Sequence, residues 1–302
     1  MLNIIKNPLR LTFTASVAMK CIINILFLVG ILTSSGCSFI IGSATQNLAG
    51  SLSNGILNND DLRTVEQGLP AYLLLLDGLI EDDPDNVALL QAASRLNSTY
   101  ASVFTNDKDQ AKKLSDKAFN FAIRAVCKTK KAACKINTMS FNEFTSVVDS
   151  FKKKDIGLLY TLGSTWASRI EAHNDDWNAI AQIGQVQHIM EHVVILDEMY
   201  ESGSAHIYLG TLATLLPPAM GGKPEVGRQH FERAITLSDG KNLMAKVSYA
   251  QRYARLLFDR PLHDQLLKDA INAPAHFPGL TLINTLAQQQ AHQLLKTADD
   301  YF

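Results

Sequence analysis

The chain has 302 residues, with 28 basic and 29 acidic side chains and a formal net charge of -1. That balance supplies no basic excess for a phosphate backbone and argues against nucleic acid as a partner. The length is enough for one large core without demanding two domains.

The N-terminus reads as a targeting segment. Lys20 precedes the apolar run CIINILFLVGIL, Cys21 to Leu32, short for a membrane span and the right length for a signal core. Thr33, Ser34, Ser35 and Gly36 are small, and Cys37 follows them. This is similar to a bacterial lipobox, although Ser34 stands where leucine is usual. The expectation is a signal peptide over 1–36 and lipid on Cys37; an ordinary secretory signal or an uncleaved anchor is the alternative. Met19 would open a more compact signal, MKCIINILFLVGILTSSGC. Ser38 after the cysteine favours sorting to the outer membrane. Residues 37–59, small, polar and without charge, read as a tether.

A single helical domain is expected over 60–302. The apolar spacing is helical nearly throughout and β-branched alternation is scarce. Asp82-Asp83-Pro84-Asp85 ends one helix and starts another, and Asn106-Asp107 and Asn174-Asp175-Asp176 are cap sites. The run Tyr72–Leu76 is apolar on more than one face, which fits either deep burial or an apolar ligand surface. Cys127 and Cys134 lie in VCKTKKAACK. In an oxidising compartment such a pair favours a disulfide over two free thiols, and the spacing is a poor zinc knuckle. The surrounding lysines, 128, 130, 131 and 135, with 152–154, read as solvated helix ends.

Small residues mark candidate helix crossings. Leu159, Leu162-Gly163 and Trp166, then Leu209-Gly210, carry the spacing of the first helix of a tetratricopeptide pair; Gly227, Phe231 and Ala234 carry that of the second, and Ala111, Ser115 and Ala118 do so poorly. The fold class is therefore all-α, an array of degenerate tetratricopeptide-like helix pairs. Between Gly210 and Gly227 the segment PPAMGGKP is longer than a repeat turn requires. Its prolines stop one helix, its glycines permit a sharp bend, and Pro224 starts the next helix. Leu243, Val247, Ala250, Ala254 and Leu257 form an apolar stripe, with Asn242, Lys246, Arg252 and Arg255 off it. Ile283, Ala287, Ala291, Leu294 and Ala298 form another. Pro217, Pro218, Gly221, Gly222 and Lys223, together with Lys241, Asn242 and Lys246, are the candidate ligand or partner surface.

One catalytic pattern is present. His188, Glu191 and His192 match H-x-x-E-H, which on a helix places two imidazoles on one face for zinc, with Asp264 or Asp269 as a distant third ligand. Three fixed positions in five occur often by chance. An amphipathic helix surface is the simpler reading, and no cofactor, metal or enzyme activity is expected.

The stretch His206–Arg255, HIYLGTLATLLPPAMGGKPEVGRQHFERAITLSDGKNLMAKVSYAQRYAR, resembles the T component of tripartite ATP-independent periplasmic (TRAP) transporters, as does Leu69–Phe104. The PPAMGGKPE and GKNLMAKV segments are specific; residues 127–158 depart from the pattern. The resemblance implies a periplasmic, lipid-anchored accessory that is not an enzyme. It implies pairing with a TRAP-type periplasmic substrate-binding protein, self-association, and an apolar cavity or channel for a hydrophobic, carboxylate-bearing small ligand. A general repeat scaffold in envelope assembly is the rival reading, and a metallopeptidase a remote one.

Overall fold

A computed structural model describes residues 50–302. The expected signal peptide, Cys37 and the first part of the tether lie outside the described residues. Every regular element among the described residues is helical, so the all-α expectation holds. Residues 50–57, placed in the tether on composition, are helical. Their Ile56 is buried against α1 (Leu62–Asp82), which explains the difference: this segment has a surface to pack on.

The helices begin where capping chemistry allows. Asp61 accepts the amides of Arg63 and Thr64 at the start of α1. Asn86 caps α2 (Val87–Thr99), Asp107 caps α3 (Lys108–Thr129) and Ser140 forms a reciprocal box with Glu143 on α4 (Phe141–Asp149). Each cap satisfies amides that have no partner within the helix. Then follow α5 (Ile156–Ala172), the short α6 (Trp177–Ile180), α7 (Ile183–Asp197), α8 (Ser204–Ala213) and α9 (Pro224–Leu237). The C-terminal part holds α10 (Leu243–Ser248), α11 (Arg260–Asn272), α12 (Thr281–Lys296) and α13 (Ala298–Tyr301). Two helices change pitch: α2 runs on as a π turn over Tyr100–Phe104, and α10 as another over Tyr249–Ala254.

Three apolar clusters fill the array. The first joins α1, α2 and α3 and also takes Leu282 of α12. The second surrounds Trp166 of α5, with Phe119, Phe144, Phe151, Ile189 and Leu209. The third unites α9 to α12 around Phe231, Leu243, Val247, Leu267 and Ala287. The last long helix thus returns to the first, and the loop before it is tied there as well. Asn58 accepts the Gly279 amide at 2.7 Å, and His276 meets Asp60 at 2.9 Å. The leucine run on α1 divides rather than choosing one face: Leu73 and Leu76 are buried, whereas Leu74 is 73% exposed.

The small residues mark crossings, as their spacing predicts. A Cβ on Gly163 would sit 2.6 Å from Ile189 of α7, and one on Gly210 would meet the Phe231 ring at 2.8 to 3.0 Å. Both helix pairs approach too closely for any side chain at these positions. Gly210→Val is expected to destabilise the protein by about 1–3 kcal/mol through overpacking, read as a lower urea midpoint at unchanged slope.

The lysine-rich segment carries a short core of its own. After α3 the chain turns through Lys131–Thr138, burying Ala133 and Ile136 beneath the charged residues. Lys130 donates to the Ser150 carbonyl at 2.8 Å and lies over the Phe151 ring, so this is a packed joint as well as a solvated helix end. The Cys127 and Cys134 sulfurs stand at bonding distance, seven residues apart in sequence. A disulfide here is expected to contribute about 2 kcal/mol by restricting the unfolded chain. Thiol titration of unreduced, denatured protein checks it: neither cysteine should react, and two reactive thiols would remove the bond.

Candidate functional site

The candidate surface starts from the loop between α8 and α9. Its backbone is built with little freedom. The Met220 and Gly222 amides both donate to the Pro217 carbonyl, Gly221 donates to Pro218, and Lys223 donates to Ala213 at 2.8 Å across the loop's base. The two glycines do different work. Gly221 adopts φ +92, the left-handed region that glycine occupies freely. Gly222 has no positive φ; a Cβ there would lie 1.7 Å from the Leu216 carbonyl oxygen, so its need is steric. The loop therefore holds its side chains out on a fixed frame. Leu215, Leu216 and Met220 are 42%, 46% and 67% exposed, beside exposed Pro217, Pro218 and Lys223.

Lys241, Asn242 and Lys246 do not complete this surface. Helix α9 has 14 residues, a rise of roughly 21 Å. The loop sits at its N-terminus, and Lys241 and Asn242 follow its C-terminus. Asn242, placed on a solvent or partner face by its position off the apolar stripe, is buried instead. Its amide donates to Ser204 Oγ at the start of α8, the end away from the loop. Lys241 pairs with Asp239 at 3.1 Å, and its carbonyl accepts from Asn284 of α12, whose own oxygen takes the Leu243 amide. Lys246 is half-buried one turn further along α10. These residues frame the joint between α9, α10 and α12. A helical wheel misplaces Asn242 because it counts only apolar side chains, and a buried amide with a partner escapes that count.

The specific sequence segments explain one another in space. Phe231 packs on Gly210 and stacks with Tyr249 at 5.5 Å between centroids. The Tyr249 hydroxyl donates to Glu232 at 3.2 Å, and that of Tyr253 to Glu225 at 2.7 Å. The Glu225 carboxyl is held below its ordinary range by the Tyr253 hydroxyl and the Arg228 guanidinium. Much of the pattern running from Leu209 to Tyr253 is thus a scaffold that fixes where the loop stands.

The H-x-x-E-H pattern is not assembled for metal. His188 and His192 do share one face of α7, but Nε2 of His188 meets Asp149 at 2.9 Å and Nε2 of His192 meets the Phe151 carbonyl at 3.2 Å. Glu191 accepts from Gln187 on the same helix, and Asp264 is engaged by His263. Among the described residues no group of three or more His, Cys, Asp or Glu side chains has metal-holding geometry.

Two features escape sequence reasoning. A cleft of about 640 Å³ opens where α1, the first π turn and α12 meet, lined by Leu62, Arg63, Pro70, Tyr100, Phe104 and Leu286 among others. A second group gathers Arg95 of α2, Tyr160 of α5 and Tyr200, Glu201 and Tyr208 around the turn into α8. Arg95 pairs with Glu201 at 2.9 Å, and the Tyr160 ring lies 5.4 and 6.2 Å from those of Tyr200 and Tyr208. Burial pushes the Tyr208 hydroxyl up to about 12 and that of Tyr160 well above the ordinary phenol value, so both remain protonated donors. Glu201 and Ser202 hold φ of +50 and +56, unusual for residues with side chains. Members of the group are up to 113 residues apart, counting from Arg95 to Tyr208, so no local spacing announces them.

No helix among the described residues is long and apolar enough to cross a membrane. No curated protein matches the chain. The family model described as the TRAP transporter T-component matches residues 58–302, which takes in the α8–α9 loop, the scaffold behind it and both groups outside it. The chain belongs to the TRAP transporter T-component family.

Proposed function

We propose that this chain docks a TRAP-type periplasmic substrate-binding protein through the α8–α9 loop and acts as an accessory of the transporter, not as its catalyst. The observation that carries the reading is the exposed apolar face of Leu215, Leu216 and Met220 on a hydrogen-bonded, glycine-shaped frame. A mere connection between two helices needs neither the extra length nor the rigidity. A preformed loop loses little entropy on association, and exposed apolar side chains beside a charged one suit a protein partner. The cleft beside α1 and α12, with Tyr100, Phe104 and Leu286 in its wall, is the place in this reading for a small hydrophobic ligand. Self-association of copies belongs to the same proposal. So does a lipid on Cys37 that holds the protein to a membrane facing the periplasm, the outer one by the rule that Ser38 follows.

Binding of a purified TRAP-type substrate-binding protein tests the docking surface. Lys223→Glu is expected to weaken it by at least about tenfold while leaving the helical circular dichroism and melting temperature unchanged. Gly222→Val is expected to weaken it as well, because its Cβ forces the Leu216 carbonyl aside. If both variants fold and bind as the parent does, the loop is architectural only. Cys37→Ala is expected to move the protein from the membrane fraction to the soluble fraction. A variant that stays membrane-bound and keeps its N-terminus would point to an uncleaved helix.

A further inference from the structure

Where the second apolar cluster gives way to the third, two histidines meet. His206 on α8 is buried, and its Nδ1 stands 2.8 Å from Nδ1 of His230 on α9. Nε2 of His206 lies 3.1 Å from Glu198, just past the end of α7. The same carboxylate takes the Nε and Nη2 of Arg233 at 2.7 and 2.5 Å. Three successive helices are joined through one chain of polar contacts. The charged groups facing it are Glu198 and Glu191 from the α7 side and Arg233 from α9.

The proton positions follow from the partners. Arg233 leads, with His206 beside it, in holding the Glu198 carboxyl down to about 2, so it is ionised at any ordinary pH and only accepts. Nε2 of His206 must therefore carry hydrogen. In neutral His206 this leaves Nδ1 as a bare lone pair, and the hydrogen between the rings belongs to Nδ1 of His230. One extra proton is accommodated: His206 becomes doubly protonated while His230 shifts its hydrogen to Nε2. A second extra proton is not. Both Nδ1 atoms then carry hydrogen, no lone pair lies between them, and two cations face each other across 2.8 Å.

We propose that Glu198, His206 and His230 form a proton-sensitive joint between the N-terminal and C-terminal parts of the array, and that uptake of the second proton parts α8 from α9. Neither the docking loop nor the lipid anchor enters this inference. Burial is the leading cause that lowers both histidines from 6.5. Glu198 opposes it at His206; at His230 the neighbouring His206 adds to it and Glu191 opposes. A histidine depressed in the folded state binds its proton more readily when unfolded. The pair's contribution to stability is therefore whole above pH 6.5 or so. It declines as pH falls and is lost once pH passes below the folded values.

The full chain is tested without a partner. Nitrogen-correlated NMR of the imidazoles at pH 7.5 should show His206 as the Nε2–H tautomer and His230 as the Nδ1–H tautomer. Between pH 7.5 and 5.0 the parent's melting temperature should fall about 2–4 °C further than that of His230→Asn. In that variant an amide replaces Nδ1–H and cannot titrate. His206→Gln, which keeps a donor for Glu198, should flatten the fall in the same way. The six other histidines are common to parent and variants. Amide protection over Ile207–Thr214, corrected for the intrinsic slowing of exchange in acid, should fall at pH 5.0 in the parent alone. Equal acid slopes in parent and variants would overturn the joint. Should the variants not fold, NMR titration of the parent decides: two coupled steps, the second below the ordinary histidine value, are expected. Two independent curves near 6.5 would overturn it.

Discussion

The contact between Gly210 and the Phe231 ring governs the C-terminal half of this protein. A glycine on α8 lets α9 approach until the Phe231 ring fills the space a Cβ would take, and that ring belongs to the cluster that holds α9 to α12 together. Tyr249 stacks on the other side of Phe231, which sets α10, and α12 is tied to the start of α10 through Asn284. The interaction is steric exclusion more than attraction. Protein interiors are packed closely enough that a missing Cβ fixes an interhelix distance as firmly as a bond would. The loop between α8 and α9 inherits its place from the same contact, because the two helix ends it must join are already fixed.

This dependence gives the long sequence pattern a physical meaning. Gly210, Phe231, Glu232, Tyr249, Glu225 and Tyr253 are spread over some forty residues, yet they form two short chains of contact between three helices. Buried tyrosines need partners for their hydroxyls, and the glutamates of α9 supply them. A family pattern of this kind reports scaffold geometry first. The exposed residues of the loop are the part of it that such packing leaves unexplained, and they therefore carry the functional reading.

Much of the fold was legible before any coordinates. Asp107 and Asp176 cap helices as their positions imply, since a cap is a local event that two or three amides decide. Gly163 and Gly210 lie at crossings because repeat spacing encodes them. Asn242 was misplaced: its burial depends on Ser204, 38 residues earlier, and nothing in its own helix reveals that partner. The Arg95 and tyrosine group and the His206–His230 pair were invisible for the same reason, each being assembled across helices. The helical segment at 50–57 was hidden by composition, because the support for Ile56 comes from α1 and not from its own neighbours.

The π turns at Tyr100–Phe104 and Tyr249–Ala254 bear on how this array is related to itself. Such a turn is one residue inserted into an α-helix without breaking it. At 100° per residue, one insertion shifts every later side chain to a neighbouring face. Both turns close their helices: Thr105 is extended directly after the first, and a turn ending in Phe258 at φ +57 follows the second, so the change of register falls on the last residues of α2 and α10. Superposing the repeats by sequence needs no gap inside a helix, because the connection that follows each turn absorbs the extra residue. The wider pitch therefore acts on the residues of the turns themselves, which on α2 include Tyr100 and Phe104 in the wall of the cleft.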